Sequence, residues 1–173
     1  MRRHKRSLGF TLLELVVVVS VIGLLAVVAL DRLLVVQEQA EKVVMEQTAG
    51  ILRSAMQLQM ADLIAHQRAA EIAGLAGQNP MNWLAEKPGN YLGEFSGAPQ
   101  TDVPRGSWYF DTQDRALVYL VDRGRYFVPD PRGRKQVRYR VFLVRAPSEQ
   151  PGRADISAVE GVTLKTLEPY KWF

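Results

Sequence analysis

Residues 10–30 read FTLLELVVVVSVIGLLAVVAL, an apolar run broken by one charge, Glu14. As a helix rising ~1.5 Å per residue the run is about 31 Å long, one hydrocarbon core. It is rich in valine, a mediocre helix former in water. In lipid the backbone must satisfy its own hydrogen bonds, so a single span has to be helical. The tract MRRHKR ahead of it is positive and predicts a cytoplasmic N-terminus, with everything after Leu30 in a periplasm-like space. Two plainer readings compete. A cleaved signal peptide would use Val27-x-Ala29 as its cleavage site, but the run exceeds the usual apolar core of about 7–15 residues. An uncleaved anchor fits the length and leaves Glu14 unexplained.

Glu14 is the residue that needs a reason. A carboxylate in the middle of a membrane helix costs about 2.5–3.5 kcal/mol on insertion scales, and less near the interface. Snorkelling to the headgroups is one way out, although glutamate is short for it. The other is a positive charge at the same depth. A free α-amino group, made by cutting the chain before Phe10, would supply one.

Residues 5–15, K-R-S-L-G-F-T-L-L-E-L, followed by the apolar stretch to Leu30, resemble the N-terminus of type IV pilins and type II secretion pseudopilins. The resemblance implies that a prepilin peptidase cuts after Gly9 and methylates the new N-terminus at Phe10. It implies that Glu14, fifth in the mature chain, meets the terminal amine of a neighbouring subunit in a fibre. The chemistry agrees. Gly9 leaves the backbone open to a peptidase, and a buried charge is strongly unfavourable until its partner arrives. One departure stands out. Many family members carry a helix-bending proline near the end of the apolar run, where this chain has Asp31. The helix is therefore expected to pass through without a proline kink.

Beyond the span, Leu33, Val36, Ala40, Val43, Val44, Ile51, Ala55 and Leu58 recur at helical spacing. They predict an amphipathic extension to about His66 with this face turned to a folded domain. Gln37, Glu38, Glu41, Lys42 and Glu46 fill the other face. Gly50 is the weak point, marking close packing or a joint. Residues 68–78 read as a short helix, and Asn79-Pro80 as the cap and first position of a single turn. Residues 86–106 read as loop, pinned by Trp83, Tyr91 and Phe95. Strands follow at Ser107–Phe110, Ala116–Val121 and Val137–Arg145. Tyr126–Val128 is a candidate short strand and 154–168 a candidate edge strand. In the clearest strand Val137, Tyr139, Val141 and Leu143 share one face. The expected fold class is α+β: a long membrane helix continuing into a periplasmic domain with an antiparallel sheet of three or four strands, the pilin-like layout. The divisions are 1–9 leader, 10–30 span, 31–66 helix extension, 67–106 connection and 107–173 sheet.

Composition narrows the chemistry. The 173 residues carry 22 Lys+Arg against 18 Asp+Glu, and Arg2, Arg3, Lys5 and Arg6 account for the excess. No global charge points to nucleic acid. With no cysteine the chain has no disulfide, thiolate metal site or cysteine nucleophile, and its two histidines, His4 and His66, offer little acid–base chemistry. His66 reads as a surface helix residue. No phosphate loop, nucleophile elbow or zinc motif is present. Asp111, Asp114, Asp122 and Asp130 lie near turns without the dense spacing of a calcium loop and read as turn caps. No catalytic residue, metal or cofactor is expected. Arg132, Arg134, Lys135, Arg138 and Arg140 form a candidate basic surface. It reads first as a solvated or intersubunit face, with DNA phosphate binding as the lesser alternative.

The resemblance implies a structural subunit, not an enzyme. It would be inserted singly in the inner membrane and drawn into a filament. Its partners would be the prepilin peptidase, membrane lipid, other pilin or pseudopilin subunits and an inner-membrane assembly platform. Lack of cysteine leans toward the pseudopilus, since many pilus pilins staple their C-terminal region with a disulfide. The alternatives are a type IV pilus pilin, for adhesion, motility or DNA uptake, and an uncleaved anchored binding domain.

Overall fold

The computed structural model describes residues 11–99, 103–145 and 159–173. Gly9, Phe10, the leader and the start of the candidate edge strand at 154–158 lie outside them. The fold is α+β. The elements run α1 (Leu12–Ala65), two 3-10 turns (Ala69–Leu75 and Pro80–Trp83), then β1 (Tyr91–Phe95), β2 (Trp108–Asp111), β3 (Ala116–Leu120), β4 (Gln136–Arg145) and β5 (Val159–Thr166). The chain divides into two compact units, Met1–Gln39 and Ala40–Phe173.

α1 has 54 residues and continues through Asp31, where the resemblance had raised the question of a proline kink. It ends in a Schellman turn. Arg68 N donates to Leu63 O at 2.7 Å and Gln67 N to Ile64 O at 3.0 Å. Gln67 takes the left-handed conformation (φ 60°) that glycine usually supplies at this position.

In the unit from Ala40 onward, α1 buries Met45, Ala49, Leu52, Met56 and Leu63. Their 4-3-4-7 spacing is a narrow heptad seam. This corrects the expected face. Leu33, Val36, Val43, Val44, Ile51 and Leu58 are 50–71% exposed. The helix carries two apolar stripes, and periodicity finds both without saying which one the sheet covers. Gly50 lies off the seam. A Cβ added there would meet nothing within 4 Å, so no close packing within the chain explains it.

The sheet order is β1-β2-β3-β4-β5. β2, β3, β4 and β5 pair antiparallel, as expected. Two features differ. The sheet has five strands, and β1, inside the segment read as loop, pairs parallel to β2. Glycine hid this strand. Gly93 has φ +104° and sits at a register shift between Tyr91 and Glu94, the bulge position where an edge strand tolerates glycine. Tyr126–Val128 contributes one bridge, Phe127 to Trp172, and no strand of its own.

One face of the sheet presents Trp108, Phe110, Leu117, Tyr119, Val137, Tyr139, Val141, Val162 and Leu164 to the α1 seam. Leu143 packs at the margin of this core, so the predicted face of β4 is the observed one. The opposite face is covered too: Tyr109, Ala116 and Val118 are buried there under Leu92, Phe95, Leu120 and Leu167. Phe95 meets Tyr109 edge-on, ring centroids 5.9 Å apart, while Trp83 and Tyr91 pack on the main core. The aromatics of the connection therefore anchor it. Asn79 does the same with polar atoms. Its Oδ1 caps the 3-10 turn at Met81 N (3.1 Å), and its Nδ2 donates to Tyr91 Oη (2.8 Å) and Glu94 Oε1 (2.7 Å).

Adjacent substitutions on α1 separate the two faces. Leu52→Ala removes a fully buried side chain and should cost about 2–5 kcal/mol. Ile51→Ser should change stability by about 0.5 kcal/mol or less. Thermal unfolding of the full chain in detergent, followed by circular dichroism, measures both. Equal losses would contradict the assignment of faces.

Candidate assembly segment and the polar fastenings of the folded unit

Thr11 caps α1. Its carbonyl accepts from Leu15 N at 3.1 Å, and its Oγ1 accepts from Glu14 N at 3.2 Å. Glu14 is thus the third helical residue, and Thr-Leu-Leu-Glu has the spacing of a capping box. Reading Glu14 only as a charge in an apolar run missed this; the [ST]-x-x-[DE] pattern was the available signal. A carboxylate near a helix N-terminus is also favoured by the helix dipole. Glu14 is exposed in the isolated chain, as are the residues around it. Ser20 needs no outside partner, because its Oγ donates to Val16 O at 2.8 Å. α1 is the one helix among the described residues long and apolar enough to cross a membrane.

The charged residues of α1, read from sequence as lying on the face away from the domain, fasten the helix to its own domain. Glu41 accepts three hydrogen bonds: from Tyr119 Oη (3.1 Å), Asp122 N (2.7 Å) and Arg123 N (2.7 Å). Lys42 Nζ donates to Trp172 O at 3.1 Å, Tyr170 Oη donates to Glu46 at 3.0 Å, and Arg53 Nε donates to Leu164 O at 3.3 Å. No local sequence pattern announces these bonds, since their partners lie 78–130 residues away. Burial, reinforced by Glu41, pushes the Tyr119 phenol well above its ordinary value. Burial, Tyr139 and Glu46 do the same to Tyr170.

The candidate basic residues lie on β4 and the turn before it. Arg138 Nη2 pairs with Asp114 at 2.5 Å and Nη1 with Glu168 at 3.3 Å, with its side chain 15% exposed. Arg140 donates to the carbonyl of the same Asp114. Arg134 pairs with Asp130 at 3.1 Å, and Lys135 Nζ donates to Gly124 O at 2.6 Å. Arg132 is on the exposed turn, its backbone N bound to Asp130 Oδ1. Arg138 and Arg140 therefore tie β4 to the turn between β2 and β3, while Arg134 closes the turn before β4 on itself and Lys135 ties it to the turn at Gly124. Asp111 and Asp130 take the turn roles expected of them. Asp111 Oδ1 accepts from the backbone N of Gly97, Gln113 and Asp114. Desolvation works against ionised Asp130, but the N–H groups of Arg134 and Arg132 and the Arg134 guanidinium outweigh it and hold its carboxyl below the usual range. His66 is exposed at the end of α1 beside Asp62.

Residues 4–30 match the prokaryotic N-terminal methylation motif, the signature of type IV pilins and pseudopilins. No curated protein and no solved structure matches the chain.

The tyrosine fastenings predict alkaline instability. In the unfolded chain a phenol loses its proton near pH 10, whereas folded Tyr119 and Tyr170 hold theirs to higher pH. Their stabilisation is complete below about pH 10 and is lost as pH rises toward the folded-state values. Tyr119→Phe should cost about 1–2 kcal/mol at neutral pH and flatten the alkaline decline. Unfolding midpoints between pH 8 and 11, compared with wild type, check both parts.

Proposed function

We propose that this chain is a structural subunit of a type II secretion pseudopilus, cut after Gly9, N-methylated at Phe10, and drawn from the inner membrane into a filament. The observation that carries the reading is one carboxylate, Glu14, on the apolar segment that matches the methylation motif. In this scheme the Phe10 amine of one subunit meets Glu14 of the next, so a charge that is costly alone in lipid is compensated on docking. The second apolar stripe of α1 supports the same conclusion. Val43, Val44, Ile51, Leu58 and Ile64 are 51–71% exposed in a single chain. Such a row asks for a neighbour, and in a filament the helices of adjacent subunits supply it. The periplasmic unit would then form the filament's outer surface. The prepilin peptidase, sister subunits and a membrane assembly platform are the partners this scheme requires.

Three measurements test it. Mass and N-terminal sequence of the mature protein from its own host should give N-methylated Phe10; an intact Met1 in cells with active peptidase would reduce the protein to an anchored domain. Glu14→Ala should still insert in the membrane but fail to enter filaments, whereas normal co-purification with sister subunits would remove the assembly role. Deleting the chain should block protein secretion. Loss of surface fibres with secretion intact would move it to a type IV pilus.

A further inference from the structure

Not every arginine of the basic run is answered by an acid. Arg138 has Asp114 and Glu168, and Arg134 has Asp130. Arg140 makes no ion pair among the described residues. Its Nη2 donates to the carbonyl of Asp114, which holds the guanidinium at the β2–β3 turn, and its Nε is sealed from solvent without an acceptor. The residue opposite it on β5 is Lys165, which has no ion pair among the described residues either. Two like charges thus face each other across the strands, and such a pair works against the sheet unless something compensates it. Arg115, exposed in the β2–β3 turn, is a third cation without an acid among the described residues.

Arg115 and Arg140 border one open groove of about 470 Å³, whose walls include Gly77, Val141, Phe142 and Leu143. The groove opens where β3 stops. Pairing of β3 with β4 ends at Leu117 and Tyr139, and beyond it Gly77 N donates to Val141 O at 3.0 Å. Gly77 takes φ +70°, and a Cβ added there would lie 3.0 Å from Arg115 Cδ. The bare backbone is what lets the Arg115 stem lie against it at the groove's rim. Asp114 is the one carboxylate among the described residues that line the groove, and it is drawn to Arg138 at 2.5 Å. The groove is therefore positively charged. Burial of one edge of Arg140 leaves that charge less screened by water.

We propose that this groove binds a carboxylate carried on an acidic segment of a partner protein. An aspartate or glutamate side chain entering the groove gives the two bordering guanidinia the acid they lack, and the planar fork of arginine suits a carboxylate. Its field also offsets the repulsion between Arg140 and Lys165 without any contact to the sealed Nε. Apolar side chains beside the acid pack on Phe142 and Leu143, a surface that a free phosphate would leave bare. A nucleic-acid strand fits less well. It tracks a row of cations, and along β4 the row is interrupted at Arg138, which Asp114 and Glu168 already hold. The contact does not depend on whether the chain enters a filament.

Fluorescence anisotropy of labelled probes, titrated with the full chain in nonionic detergent, tests this. The probes are a Glu-Leu-Glu-Leu-Glu-Leu peptide, its Gln-Leu counterpart and an oligothymidylate of the same charge. The expected result is binding of the glutamate peptide alone, weakened about 10-fold by Arg140→Gln and by Arg115→Gln, with circular dichroism unchanged. Arg115 is exposed, so its variant reads the site even where Arg140→Gln disturbs the strand. Arg132→Gln removes an equal charge from an exposed turn that does not line the groove, and should leave binding as it is. No binding of the glutamate peptide up to millimolar concentration overturns the proposal. An equal loss with Arg132→Gln also overturns it, reducing the site to general charge attraction. Tighter binding of the oligothymidylate, lost in the Arg115 and Arg140 variants, gives the groove to a phosphate backbone instead. Succinate that displaces the peptide at equal concentration gives it to a small free carboxylate, and either outcome removes the protein partner.

Discussion

The folded unit depends on a seam one side chain wide. Met45, Ala49, Leu52 and Met56 meet the sheet along α1, and the residues on either side of them are left outside. A strip this narrow holds a five-stranded sheet because its edges are sealed by polar bonds. Glu41, Lys42, Glu46 and Arg53 each reach an atom of the sheet or of the segments around it. Long side chains can do this because their stems lie along apolar surface while their heads find donors and acceptors. The narrow contact leaves α1 a second apolar stripe, which a helix wrapped more deeply by its own domain would have to bury.

The strands of high β propensity were legible from local pattern, and so was the side of β4 that faces the core. The turn at Asn79-Pro80 was legible for the same reason, since capping is decided within four residues. The choice between the two stripes on α1 was not. Two methionines, an alanine and two leucines make the seam, while valines, isoleucines and a leucine make the exposed row, so hydrophobicity alone does not single out the seam. β1 was hidden because its glycine, a breaker in most strands, occupies a bulge at the edge of the sheet.

The candidate site divides in the same way. Glu14 was conspicuous because it is the one charge in a run of 21 residues, 10–30. Its cap, Thr11, was announced by the [ST]-x-x-[DE] spacing, which a reading of the charge alone passes over, and the hydrogen bond from Glu14 N displays it. The basic run 132–140 had the composition of a surface patch. In the fold much of its charge is met by Asp114, Asp130 and Glu168, partners whose closeness depends on strand pairing that composition cannot report. The fastening role of Glu41 was the least visible, since its donors come from β3 and the turn after it.

The spread of the fastenings along α1 has a mechanical meaning. Glu41, Lys42, Glu46 and Arg53 occupy about 18 Å of helix, and each holds a different part of the domain. A pull along the helix axis loads these bonds side by side, so they share the force and must yield together. Bonds gathered at a single end would open one after another, like a zip. The arrangement lets a thin contact resist sliding while staying narrow enough to leave the second apolar stripe uncovered.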